Sequence, residues 1–326
     1  MLRLLHSIFG SEKEGSYPEA LIKEAIERVV EGTDPWLRAV SGYKKKLRPA
    51  VVRAIDHVVT LVGQLPPALP ARLAVQGEDS PLKRFFISSL DMRKAFREDP
   101  SLAEYLEKAG DDSETIVALL AMEKEERGIF GAELKGDVVI KDVPQVTLAF
   151  DAHRLIDPSA DETATRRLLM RRAYDHLIGL ALRELSAVKS EREELEKRRA
   201  LLEAKYNLLQ RGGWGFDQAD PSGKLTVAEV ERGLAEIEGQ LKKLGGDDRM
   251  LDTYLALVGE VLGHPEQLLW GARQTVFVDR MGIKRAEASD EAPELSYQEI
   301  FNAEGRSMVV TLVSLGKEEL ALEEKG

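Results

Sequence analysis

Two stretches in the C-terminal half place residues at alternating steps of four and three, the spacing of helices that pack along a shared seam. The first stretch steps through Ala181, Leu185, Val188, Arg192, Leu195, Arg199, Leu202, Tyr206 and Leu209. The second steps through Val230, Leu234, Ile237, Leu241 and Leu244. A Gly-Gly-Trp-Gly segment at 212–215 ends the first stretch, and a short connection makes such helices antiparallel neighbours. The pattern predicts an antiparallel, coiled-coil-like helical hairpin.

The first of these helices is expected to be long. It starts after the Asp-Pro-Ser segment at 157–159 and reaches about residue 210, which gives about 75 Å at 1.5 Å per residue if it does not break. Two arginines interrupt its seam, so tight packing is not required in the middle. The charged run 191–199 leaves little apolar surface outside the seam. This favours a projecting hairpin over the alternative, in which the helices dock on a core.

The rest of the chain predicts an α+β, helix-dominated fold in three parts. Residues 1–125 form an N-terminal helical region, residues 126–160 and 264–316 a strand-rich body, and residues 161–263 the long helix and hairpin. The first part has six predicted helices. Four have definite bounds, at 18–31, 35–47, 81–96 and 101–109. A fifth restarts at Pro49 and stops before the proline-rich run 65–70, and a sixth includes 116–122. A further helix is expected at 248–263. The two strand segments either share one sheet or form separate sheets.

Composition limits the kinds of chemistry. The 326 residues include no cysteine, which excludes disulfides, thiolate metal sites and a cysteine nucleophile. A net charge of −11 argues against a dedicated nucleic-acid binder, because such proteins usually carry a basic face and a high pI. No run approaches the roughly 18 apolar residues of a membrane span. We therefore expect a soluble, cytoplasmic protein.

The first nine residues carry a separate apolar pattern. If they are helical, one face presents Met1, Leu2, Leu4, Leu5, Ile8 and Phe9. A short amphipathic helix of this kind could lie on a membrane surface. Because Arg3 is its only fixed side-chain cation, docking on the protein's own core or on a partner is favoured over membrane contact.

The connection between the two predicted hairpin helices resembles an EF-hand calcium loop. Within residues 217–229, if the twelve-residue loop is counted from Gln218 so that Gly223 is at its sixth position, the oxygen ligands would be Asp220, Ser222 and Glu229. The pattern is degenerate, because Gln218 stands where the first carboxylate belongs. The alternative is a turn in which Thr226 caps the second helix and Glu229 completes a capping box.

Anion and metal sites are weaker hypotheses. Arg167 and Arg171, within the basic cluster 166–172, share a helix face and could hold a phosphate, or could lie on a solvated surface beside Glu162 and Asp175. A second basic cluster occupies 44–48. Asp and His lie close together in the sequence at 56–57, 151–153 and 175–176, and both can be metal ligands. A metal site, however, needs three or four such side chains at one place in the fold.

Catalysis has no recognisable motif in the chain. We find no phosphate-binding glycine motif and no nucleophile elbow, so no cofactor is predicted. The leading hypothesis is a non-enzymatic interaction or scaffolding protein that binds a protein partner or a second copy through the hairpin, with Trp214 and Phe216 at its tip. The alternatives are a calcium- or phosphate-responsive regulatory module and an enzyme of unrecognised chemistry.

Overall fold

The computed structural model describes residues 17–72, 81–108, 114–135, 138–210, 226–246 and 249–321. It is a mixture of helix and sheet, with one long helix between two groups of strands, which confirms the α+β class in its general form. The chain divides into two compact units. Of the described residues, the first unit comprises those from Tyr17 to Asp56 and from Tyr174 to Pro265, and the second comprises those from His57 to Ala173 and from Glu266 to Ala321.

The helices are α1 Glu19–Gly32, α2 Tyr43–Gly63, α3 Ser89–Arg97, α4 Pro100–Lys108, α5 Glu162–Gln210, α6 Val227–Lys243, α7 Met250–Gly263 and α8 Lys317–Ala321. The strands are β1 Leu69–Pro70, β2 Thr115–Lys135, β3 Val138–Ser159, β4 Leu269–Val278, β5 Lys284–Arg285, β6 Glu294–Asn302 and β7 Ser307–Gly316. Among the described helices, none is long and apolar enough to cross a membrane. The long helix predicted from about residue 160 to 210 is a single element.

The first unit is helical in its described part. It contains α1, α2 as far as Asp56, α5 from Tyr174, α6 and α7. The apolar face predicted for 18–31 is the buried face of α1 and includes Leu21, Ile22, Ile26 and Val29. At the end of α1, a Cβ on Gly32 would lie 2.6 Å from Cγ2 of Ile178, so this contact with α5 requires glycine.

The helix predicted at 35–47 and the restart at Pro49 are both wrong. Residues Pro35–Ala39 form a 3₁₀ turn capped by Asp34, and α2 begins at Tyr43 and runs through Pro49 without a break. A proline inside a helix removes one hydrogen bond, here the one to the carbonyl of Lys45. Pro49 and Lys45 are both exposed, so water can satisfy this carbonyl.

The second unit contains one sheet. Its strand order is β3-β2-β7-β6-β4-β5, with β1 added in parallel to β7. The two strand segments that the sequence left as one sheet or two therefore share one sheet. An isolated bridge between Thr147 and Ile283 also brings the β4–β5 turn back to β3.

The predicted helix through 116–122 is wrong, because these residues form the first part of β2. Ile116, Ala118, Leu120 and Met122 point into a core that α3 and α4 help to build. The alternate residues Val117, Leu119 and Ala121 are buried as well. A strand covered on both faces has a continuous apolar sequence, and over eight residues this cannot be distinguished from a buried helix by periodicity.

Candidate interaction surfaces

The stepped positions of α5 and α6 contact each other. Leu195 of α5 forms a small buried cluster with Ile237 and Leu241 of α6. Further along α5, the hydroxyl of Tyr206 donates a hydrogen bond to Glu231 at 3.1 Å. Residues further toward the C-terminal end of α5 therefore contact residues closer to the N-terminal end of α6.

Arg192, one of the two arginines within the predicted seam, has a defined role. It is only 5% exposed, and its Nη1 donates a hydrogen bond of 2.6 Å to the carbonyl of Gly245. Its Nε also lies 2.9 Å from a carboxylate oxygen of Glu196, one turn further along α5. Gly245 lies two residues past the last residue of α6, and a positive charge near the C-terminal end of a helix is favourable. Arg192 therefore joins α5 to the end of α6.

Glu229, the predicted calcium ligand, belongs to a capping box at the start of α6. The backbone N–H of Thr226 donates to Glu229 at 2.7 Å, and the Thr226 hydroxyl accepts from the backbone N–H of Glu229. These bonds from Thr226 hold the pKa of Glu229 below its usual value. The other two predicted ligands, Asp220 and Ser222, lie outside the described residues, as do Trp214 and Phe216.

Apolar side chains face solvent at the far end of the helix pair. Leu201 and Leu208 of α5 are 57% and 72% exposed, and Ala204 between them is exposed too. We call these three residues the distal stripe. They are spaced three, four and seven apart, so they share one face of α5, separate from the face that carries Leu202 and Tyr206. Leu209, next to Leu208 on α5, and Val227, the first residue of α6, are also exposed.

A second apolar surface lies on the sheet of the other unit. Strand β7 pairs with β2 only as far as Met122, whereas β3 pairs with β2 to its end. Because Thr147 of β3 bridges Ile283, the segments 128–135 and 138–146 form the two-stranded ribbon, which we call the β2–β3 arm. Its exposed large apolar residues are Ile129, Phe130, Val139, Ile140 and Val146. By register, Phe130 and Pro144 are opposite each other and share a face with Val146.

The base of the arm is fixed by a buried ion pair. Nζ of Lys124 lies 2.8 Å from Oε2 of Glu299, whose side chain is almost fully buried. The hydroxyl of Ser307 donates to the other Glu299 oxygen at 2.9 Å. Burial opposes the charge on Lys124, but the bond to Glu299 and the neighbouring carboxylates raise the pKa of Lys124 above its usual value. The pair connects β2 to β6, which are separated in the sheet by β7.

The basic cluster around Arg167 and Arg171 is largely used within the protein. Arg166 donates to the carbonyl of Val62, at the end of α2, and to those of Leu65 and Pro66 just past it, and it pairs with Glu162. Arg172 makes a two-point bond to Asp157. Arg167 and Arg171 are partly buried and also have interactions within the protein.

The second basic cluster is paired with acids of neighbouring helices. Lys44 lies 2.8 Å from Glu27, and Lys46 lies 2.7 Å from Asp252 of α7. Arg48 donates to Glu19 at 2.8 Å. These contacts agree with a surface on which nearby acids balance the cations.

The Asp/His neighbours do not come together in the described part of the chain, where no group of three His, Asp or Glu side chains is placed to hold a metal. Asp56 accepts a hydrogen bond from Tyr17, and Asp175 takes a two-point bond from Arg28. His153 bonds to the carbonyl of Phe85 and stacks on Phe86 at 4.1 Å between ring centres. Burial lowers the pKa of His153, which fits a neutral ring within the core.

Sequence reasoning did not single out the arm or the distal stripe as surfaces. The sequence did contain a signal for the stripe, because Leu201 and Leu208 are seven residues apart and lie outside the predicted seam. The signal for the arm was the density of apolar residues on both sides of the Lys-Gly pair at 135–136. No protein-family model, no curated protein and no solved structure matches the chain.

Proposed function

We propose that the chain is a non-enzymatic interaction or scaffolding protein that associates through its α5–α6 helix pair, first of all with a second copy of itself. One observation carries the proposal. The described residues include sixteen large apolar side chains that are exposed, and four of these are at the far end of the helix pair while five are on the β2–β3 arm. Apolar surface concentrated in this way is typical of a binding surface.

In this proposal α5 and α6 form an antiparallel, coiled-coil-like hairpin. The pairing of Leu195 with Leu241, and of Tyr206 with Glu231, supports the antiparallel direction. Arg192 on the Gly245 carbonyl supports a fixed register between the two helices. The seam face of α5 is then occupied by α6, and the distal stripe is left for another molecule.

A second copy suits the distal stripe because the stripe is nearly symmetric. Two copies of α5 that cross in opposite directions would place Leu201 of each against Leu208 of the other. The small side chain of Ala204, near the middle, would allow the helices to approach closely. Such a contact is self-complementary, as the two-fold interface of a dimer requires.

The test is a double substitution, Leu201→Glu with Leu208→Glu. We expect the dimer to weaken at least tenfold, because the new carboxylates would face each other in an apolar contact. The measurement is molar mass by light scattering across a dilution series. The matched control is Asn207→Glu with Gln240→Glu, which adds the same two charges to exposed positions of α5 and α6 outside the distal stripe. Equal weakening by both pairs would reject the stripe as the contact.

The hairpin tip gives an independent test. Trp214 and Phe216 are the aromatic residues between the two helices, and exposed aromatics are frequent anchors at interfaces. Substitution of both by alanine should weaken assembly while the helix content, measured by circular dichroism, stays the same. Unchanged assembly would remove the tip from the proposed contact and leave the distal stripe alone.

A further inference from the structure

A groove runs along the surface of the helical unit, between α2 and α7. Its volume is about 680 Å³. Its apolar lining consists of Pro49, Ala50, Leu255, Ala256, Gly259 and Gly263. Most of these side chains are small, so another helix could approach the backbone of α7 closely. We call this feature the α2–α7 groove.

The polar residues of the groove carry both signs of charge. Lys46, Arg53 and His264 supply its basic groups, and Asp252 supplies a carboxylate that pairs with Lys46 at 2.7 Å. These groups leave the apolar lining as the main source of binding energy. The groove therefore suits a short segment with one apolar face better than a strongly charged ligand.

The start of the described chain lies next to the same side of α2. The hydroxyl of Tyr17 donates a 2.6 Å hydrogen bond to Oδ1 of Asp56. Asp56 is three residues beyond Arg53, so it continues the row of α2 residues that lines the groove. The sixteen residues that precede Tyr17 therefore join the protein beside this row.

The sequence of those sixteen residues matches the groove in pattern and in length. Residues 1–9 carry the apolar stripe described above, and residues 10–16 are rich in glycine and serine. A helix of nine residues would be about 13 Å long at 1.5 Å per residue. The row from Lys46 to Asp56 spans about 15 Å by the same measure. Seven connecting residues can extend over about 23 Å, enough to reach around α2.

The short connection also favours this occupant over a separate molecule. A segment tethered by a few flexible residues experiences an effective concentration near the millimolar range. A free partner would need much tighter binding to compete at ordinary concentrations. Even a weak apolar contact would therefore keep the groove occupied by the chain itself.

We propose that residues 1–9 of this chain dock in the α2–α7 groove of the same molecule. The leucines at 2 and 5 and the Ile8-Phe9 pair supply the apolar face, and the small residues of α7 receive it. The segment is then covered by its own protein and is not presented to a membrane or to another copy. This inference is independent of the proposed function of the helix pair.

The absence of cysteine makes a cross-linking test direct. Leu5→Cys is combined with Ala256→Cys, which lines the groove and is exposed, and disulfide formation is followed under mild oxidation. The control combines Leu5→Cys with Lys45→Cys, an exposed residue of α2 that does not line the groove. We expect the 5–256 pair to close within one chain at least ten times faster than the 5–45 pair. Ile8→Cys in place of Leu5→Cys repeats the test if the first variant is unstable.

Three results would overturn the proposal. Equal rates for the two pairs would mean that the segment does not prefer the groove. Disulfides formed between molecules would place the segment on a second copy instead. Flotation of the native protein with phosphatidylserine vesicles, abolished by Leu5→Asp and unaffected by Ala256→Arg, would assign the segment to a membrane surface.

Discussion

The carboxylate of Glu27 in α1 bonds to the side chains of three residues that follow α1 in the chain. Its carboxylate lies 2.8 Å from Nζ of Lys44 and accepts from the Tyr43 hydroxyl at 2.7 Å and from Nε of Arg38 at 3.0 Å. These bonds, with the one to Lys44 the largest, lower the pKa of Glu27 to about 2 from 4.5. A carboxylate with a depressed pKa stabilises the fold above pH 4.5, and that contribution is lost as pH falls toward 2.

We therefore predict that Glu27→Gln lowers the free energy of unfolding by about 1 kcal/mol at pH 7, a modest value because about a third of the side chain is exposed to solvent. The difference from the native protein should shrink at pH 3, where part of the contribution of Glu27 is already lost. Urea unfolding of both proteins at pH 7, 5 and 3 measures this difference in the free energy of unfolding. Glu31→Gln, at a more exposed site, is the control, and a difference that grows with acidity would contradict this account.

Arg166 lies in the basic cluster for which an anion site on Arg167 and Arg171 was predicted, and its own side chain bonds within the protein. Its side chain is 11% exposed and bonds to three carbonyls, that of Val62 in the last turn of α2 and those of Leu65 and Pro66 after it. We predict that Arg166→Ala lowers the free energy of unfolding by about 3 kcal/mol, because buried carbonyls lose charged donors. Arg166→Lys should recover only part of this, since lysine lacks the planar fork.

The control is Arg172→Ala, because Arg172 is mostly exposed and its pair with Asp157 should contribute less than about 1 kcal/mol. Thermal melting of Arg166→Ala, Arg166→Lys and Arg172→Ala compares the stability that each substitution removes. Equal losses from Arg166→Ala and Arg172→Ala would show that the bonds to the carbonyls add nothing. The sequence showed a basic cluster, but it could not show that the run after Gly63 leaves open carbonyls beside Arg166, because that contact joins residues about a hundred positions apart.

At the scale of elements, helices with one exposed face were predicted well. The helices α1 and α7 each have an apolar face and a polar face, so their periodicity is visible in the sequence. The capping box of Thr226 and Glu229, which the sequence offered as the alternative to a calcium loop, is present at the start of α6, and its signal is local because the two residues are three apart. The first part of β2 was not predicted, since burial on both faces removes the alternation that identifies a strand.

The β2–β3 arm allows a prediction at this scale. Phe130 is 78% exposed on the arm, and it faces solvent together with Val146. We predict that Phe130→Lys reduces the fluorescence of a bound hydrophobic dye and leaves the melting temperature within about 2 °C, because little packing is lost at an exposed site. Ala149→Lys, at an exposed position of β3, is the control because it adds the same single positive charge. Unchanged dye binding would mean that the arm is not an accessible apolar surface.

At the scale of the whole molecule, the chain combines a helical unit with a unit built around one sheet. The sequence predicted both kinds of structure, and it left open whether the two strand segments form one sheet. That pairing joins residues separated by the whole of α5, α6 and α7, and no local pattern encodes it. The surfaces that carry the proposal lie at the ends of elements, where local patterns are weakest.

The central claim is that the protein associates through apolar surface on α5. Light scattering coupled to size exclusion, at low and at high salt, tests it most directly. The account predicts a mass of twice the 36.3 kDa chain, retained at high salt because the contact is apolar. A mass of one chain at every concentration and salt level would contradict self-association through the distal stripe.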